Sequence, residues 1–200
     1  MTCSPNGSFG SATRGNRRRG GRLSRLTFGV PEFQLRLEVL GIDDLIVHEQ
    51  PSQELPTMVV AFAGWPDASD SATGAVRHLV DGLPGTKFAE IDPEEFFDFT
   101  AVRPETLINE EGERVIRWPA NEFYYYTDDD PSRNLLLFVG TEPNLKWRAF
   151  SKLMVGVAEQ SGVQLVVSLG ALLDAVPHTR DTLVTGRASS PELEQKVQWL

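Results

Sequence analysis

Two hundred residues, 40% hydrophobic and 24% charged, are enough for one domain with a core and too few for two. No stretch approaches the roughly 18 uncharged apolar residues of a membrane span, and the start of the chain lacks the apolar region of a secretory signal, so a cytoplasmic protein is expected. The net charge of -9 is uneven: residues 1–25 hold six arginines and no acid, leaving 13 bases against 28 acids, a poor electrostatic match for nucleic acid.

In chain order, the Gly/Ser/Arg-rich residues 1–25 read as a disordered tail and 26–200 as a single domain. Cys3, the only cysteine, lies in that tail, which excludes a disulfide and a Cys-ligated zinc. His48, His78 and His178 lack the spacing of a zincin-type site, so no metal and no cofactor are expected. The segment up to Pro51 holds short apolar alternations, an edge strand or two. "TMVVAF", 57–62, is a continuous apolar run of the kind covered on both faces of a sheet. Ala72, Val76, Leu79, Val80 and Leu83 then form one face of a helix over about 68–82.

"KFAEI" reads as a further strand, and "DPEEFFDF" as a short helix with Asp92 as cap and Pro93 at its first position. Residues 102–127 alternate about a turn at Glu111-Gly112, an antiparallel hairpin excursion. "NLLLFVG" and "QLVVSLG" are two more buried strands, separated by a helix with Leu145, Ala149, Leu153 and Val157 on one face. "SPELEQKVQWL" opens a last helix with Ser190 as cap; its apolar residues need a partner, and a further helical segment is expected beyond it. Strands alternating with helices predict a three-layer α/β/α sandwich with a mostly parallel sheet.

In such sheets ligands bind beyond the carboxyl ends of the strands, which directs attention to three loops. The first is Gly64-Trp65-Pro66-Asp67-Ala68-Ser69-Asp70. It has one glycine, no lysine and two carboxylates, Asp67 and Asp70, spaced to cap the helix, so the turn is read against phosphate binding. Plain capping competes there with binding of a cation, an amine or a basic surface. The second loop offers Glu142, Asn144 as a helix cap, and Arg148, which suit either a polar small molecule or an internal salt-bridge network. The third, 174–187, offers Asp174, His178, Thr179 and Arg180. No nucleophile is marked: Ser168 is outside a G-x-S-x-G elbow because Val166 stands at its first glycine, and catalytic residues stay unassigned.

Five motifs in series, "GWPDASDSATGAVRHL", "EIDPEEFFDFTAVRP", "EGERVIRWP" with "NEF", "LLLFVGTEPNLKWRAF" and "VVSLGALLDAVPHTR" with "VTGRAS", resemble the bacterial branch of the proteasome assembly chaperone 2 family over about 35–200. The resemblance implies an α/β/α fold similar to nucleoside phosphorylases and peptidyl hydrolases. It also implies self-association, as a trimer, and a non-enzymatic assembly role with proteasome subunits or another protein as partner. Labels such as ATP-grasp-like or carboxylate-amine ligase, used for some members, find no glycine-rich flap or paired metal-binding acids here. The chain departs from the family pattern at Pro66, where Asn is common, at Ser69, where Gly is frequent, and at Asp181, where Pro usually follows the His-Thr-Arg triplet. A phosphorylase- or hydrolase-type enzyme and a small-molecule sensor, both using the rim of the three loops, remain open alternatives.

Overall fold

A computed structural model describes residues 44–177 and 179–197; the expected arginine-rich tail, His178 and the last three residues lie outside them. The strands are β1 (Leu45–Val47), β2 (Thr57–Ala63), β3 (Thr86–Ile91), β4 (Glu105–Ile108), β5 (Arg114–Arg117), β6 (Asn121–Tyr126), β7 (Leu135–Thr141) and β8 (Leu165–Leu169). The helices are α1 (Ser71–Gly82), α2 (Trp147–Gln160) and α3 (Pro191–Val197), joined by short 3-10 turns that include Ala68–Asp70 and Pro93–Glu95.

Six strands form one sheet in the order β1-β3-β6-β7-β2-β8. The continuous apolar run of β2 sits between β7 and β8, parallel to both, with Val59 opposite Leu137 and Val167. Its alternate residues serve two layers. Met58 and Val60 join Phe138, Phe150, Leu153 and Val157 under α2, while Ala61 joins Ala72, Val76, Leu137 and Val139 under α1. This is the expected α/β/α sandwich, with one long helix on each face.

The other pairings, β1 with β3, β3 with β6 and β6 with β7, are antiparallel, so the sheet is mixed. The cause is β6. Its sequence, "NEFYYY", leaves the expected excursion and inserts between β3 and β7, because fully buried Phe123 lies 4.8 Å from the Phe138 ring and 6.0 Å from that of Phe88. What remains of the excursion is the separate β4–β5 hairpin, Leu107 opposite Val115, whose turn uses Gly112 at φ 81°.

Two expectations about burial change. On α2 the buried stripe is Phe150, Leu153, Gly156 and Val157, while Ala149 is exposed and exposed Leu145 precedes the helix. Helical spacing from Leu153 fits either Ala149 or Phe150, and the larger apolar surface takes the core position. β8, whose apolar run predicts burial, pairs only with β2 and ends the sheet, leaving Val166 54% exposed. An apolar run marks a strand that can be covered; covering it takes a neighbour, and among the described residues β8 has none on its outer edge.

Candidate functional site

The three expected loops do meet at one rim, through backbone hydrogen bonds. The Glu142 N–H donates to the Ala63 carbonyl at 3.0 Å, joining the first loop to the second. Ala171 N–H donates to Pro66 O at 2.7 Å and Ala68 N–H donates to Ala171 O at 3.0 Å, joining the first to the third. Gly64, at φ 129°, lets the chain pass against the Glu142 carboxylate, which a Cβ there would approach to 3.0 Å.

Asp67 is buried at the rim and caps α1 across the 3-10 turn. Its Oδ1 accepts from Ala72 N–H at 2.7 Å and Thr73 N–H at 3.2 Å, and its Oδ2 accepts from the Thr73 hydroxyl at 2.5 Å. These bonds occupy donors that a helix start would otherwise offer an anion. Asp70 differs from the expectation: it stands at the N-cap position with φ 53°, makes no capping hydrogen bond, and is exposed. Ser69 is also left-handed, at φ 57°. Glycine, which the resemblance leads one to expect at position 69, would adopt this conformation without steric cost.

Asn144 does not cap α2 either. Its Oδ1 accepts from Asp98 N–H at 3.0 Å and its own N–H donates to Phe96 O at 2.9 Å, tying the second loop to the turn after β3. The N-cap of α2 is Lys146, at φ 50°, whose ammonium pairs with Glu95. Exposed Arg148 forms no ion pair with Glu142 or any other acid among the described residues, so the internal network considered for this loop is not formed. Asp174, Thr179 and Arg180 are exposed on the third loop, where Arg180 N–H closes a turn onto Pro177 O. His178 lies outside the described residues.

Apolar groups, rather than the polar ones the sequence suggests, dominate the exposed rim. Trp65 is 84% exposed, and Leu172 and Leu173 follow directly on Ala171. Below them, between α2 and the β2–β8 edge, is a groove of about 380 Å³ walled by Phe62, Pro143, Trp147, Met154, Val155 and Val166, with Glu142 at its lining. The sequence holds one clue to it: 147, 151, 154, 155 and 158 form a second stripe on α2 beside the buried one.

On the α1 side of the sheet, Lys87 joins Glu90 at 2.6 Å and Glu122 at 2.7 Å, and Tyr124 donates to Glu122 at 2.9 Å. Burial alone would pull the Lys87 ammonium down, but the two carboxylates outweigh it and hold its pKa above the usual lysine value. Burial, reinforced by the Glu122 charge, pushes the Tyr124 phenol up to about 12. Among the described residues, no group of three or more acids, histidines or cysteines could hold a metal ion.

Fold and rim define an α/β/α protein whose parallel strands end in mutually bonded loops with exposed apolar side chains. Within that class the chain belongs to the PAC2 family, which its residues 61–200 match. It is similar to a PAC2 family protein of Streptomyces avermitilis, at 39% identity and a TM-score of 0.61 over 70% of this chain and 60% of that one. A Mycobacterium tuberculosis proteasome-assembly chaperone homologue is 35% identical, with a TM-score of 0.63 over 71% of this chain and 60% of that one. A third structure, a protein of unknown function from the same organism, is 27% identical, with a TM-score of 0.66 over 77% and 55%. The chain thus spans 60% or less of the length of these relatives. No curated protein matches it. No helix among the described residues is long and apolar enough to cross a membrane.

Proposed function

We propose that this chain is a non-enzymatic assembly or interaction protein whose apolar rim serves both to associate with copies of itself, as a trimer, and to receive a protein partner. One observation carries the reading: the rim's polar candidates Asp67 and Asn144 are engaged by backbone donors of the chain itself, while Trp65, Leu172 and Leu173 face outward. Acceptor oxygens already engaged by the chain's own donors are not free to meet a substrate, and outward tryptophan and leucine are what a docking surface supplies. Membership of the PAC2 family and the likeness to a proteasome-assembly chaperone homologue support a protein partner, of which proteasome subunits are the first to test. The setting proposed for this role is the cytoplasm.

Native mass spectrometry of the full chain tests the first half: a trimer is expected, and Leu173→Asp with Trp65→Ser should shift it toward monomer without altering the circular dichroism. A wild-type chain that stays monomeric at every concentration overturns self-association. Co-purification from a host that has proteasomes tests the second half. Stoichiometric proteasome α-subunits support the assembly role, and their absence removes proteasome subunits as the partner.

A further inference from the structure

Helix α1 packs mainly on β2 and β7, with Tyr124 of β6 at the margin of that cluster, so the same face toward the start of β6 and β3 is left to side chains. Between α1, the base of the β4–β5 hairpin and the first residues of β6 lies a cavity of about 550 Å³, bounded by Arg77, Arg103, Arg117, Trp118, Glu122 and Thr141. Three guanidinium groups on one cavity stand out in a chain whose acids outnumber its bases 28 to 19. Arg117 is paired with Glu105, and Glu122 is held by Lys87 and Tyr124. Arg77 and Arg103 have no carboxylate partner among the described residues.

The remaining walls indicate more than a bare anion site. Trp118, 48% exposed, is held in a T-shaped contact with Phe99, ring centroids 5.0 Å apart, and gives the cavity a flat apolar side. Thr141 is the last residue of parallel strand β7, where open α/β sheets hold ligands, and its hydroxyl makes no hydrogen bond among the described residues. The volume falls in the range of small-molecule pockets, about 300 to 1,000 Å³.

We propose that this crevice binds a phosphate monoester carrying a flat ring, of mononucleotide size. Arg77 and Arg103 take the phosphate, whose charge of about -1.5 to -2 matches two guanidinium groups and whose three oxygens accept from both forks. A single carboxylate would engage one fork and leave the other without a partner. The ring lies against Trp118, and the Thr141 hydroxyl offers a further polar contact. The site is distinct from the turn Gly64–Asp70, whose carboxylates repel anions, and it does not rest on the assembly reading.

Titration calorimetry of the full chain with the four ribonucleoside 5′-monophosphates, with adenosine and with inorganic phosphate tests it. At least one nucleotide should bind in the micromolar to low millimolar range, with adenosine and inorganic phosphate at least ten times weaker. Arg77→Gln and Arg103→Gln should each weaken that nucleotide about tenfold or more. Arg103→Lys should fall between, and Arg133→Gln, outside the cavity, should have no effect. Trp118→Leu should weaken the nucleotide and leave inorganic phosphate unchanged. The proposal is overturned if no nucleotide binds, if inorganic phosphate binds as tightly, or if neither arginine substitution matters. It is equally overturned if the arginine substitutions dissociate the oligomer and leave nucleotide binding intact, which would give these cations to an acidic protein surface.

Discussion

Asp67 and Asp70 are three residues apart and chemically identical, yet the fold gives only one of them a structural task. Asp67 accepts three hydrogen bonds in a buried position. Asp67→Ala should cost about 1 to 3 kcal/mol, because buried donors lose their acceptor. Asp70→Asn, which keeps the tolerance for its left-handed φ of 53° and removes the charge, should stay within about 0.5 kcal/mol. Urea titration of both variants compares them directly; equal losses would contradict the assignment of the cap. Ser69 pays a left-handed φ of 57°, so Ser69→Gly should raise stability by up to about 1 kcal/mol in the same assay. Tyr124 carries a pH signature. Its folded pKa of about 12 exceeds the ordinary value of 10, so the neutral phenol is favoured in the fold. That contribution is complete below pH 10 and is lost as pH rises from 10 to 12, and the raised pKa of Lys87 acts in the same direction. The urea midpoint should therefore fall over this window, and Tyr124→Phe should make the fall shallower; an identical slope in the variant would remove Tyr124 from the cause.

Among the elements, β7 leaves no room for a side chain where Gly140 meets Asn121 of β6. A Cβ on Gly140 would overlap Asn121 Oδ1, the atom that accepts from Thr141 N–H at 2.8 Å. Gly140→Ala should destabilise by more than about 3 kcal/mol, and adding Asn121→Ala should recover part of the loss, a coupling that a double-mutant cycle measures. Leu153→Ala on the buried stripe of α2 should cost about 2 to 5 kcal/mol, against about 0.5 or less for the exposed Val155→Ala. How far the elements were legible follows from the same physics. The runs at β2 and β7 and the cap at Asp67 are local signals, and each is where the sequence points. The insertion of β6 is set by contacts of Phe123 with rings distant in sequence, which no local pattern encodes. Asn144 has the chemistry of a helix cap, but the Asp98 backbone engages it first. The crevice arginines come from α1, the loop before β4, and β5, so their convergence is invisible until the chain is folded.

At the scale of the molecule, polar and apolar groups are sorted in an unusual sense. The strand ends hold the Asp67 carboxylate inward and tie the exposed Asn144 amide to the chain's own backbone, whereas Trp65, Leu172, Leu173, Val166 and Val155 remain at the surface. The acid excess of the chain favours solubility through mutual repulsion, while this apolar surface favours contact. The outer edge of β8, unpaired among the described residues, belongs to that balance. A strand with one bare edge and an exposed valine is stabilised by whatever completes it, and when the completing agent is another copy, the protein acts as its own ligand. Concentration then becomes a variable of folding. The thermal midpoint of the wild-type chain should climb with each tenfold increase in protein, whereas that of Leu173→Asp should stay level, and two flat series would show that each chain melts alone.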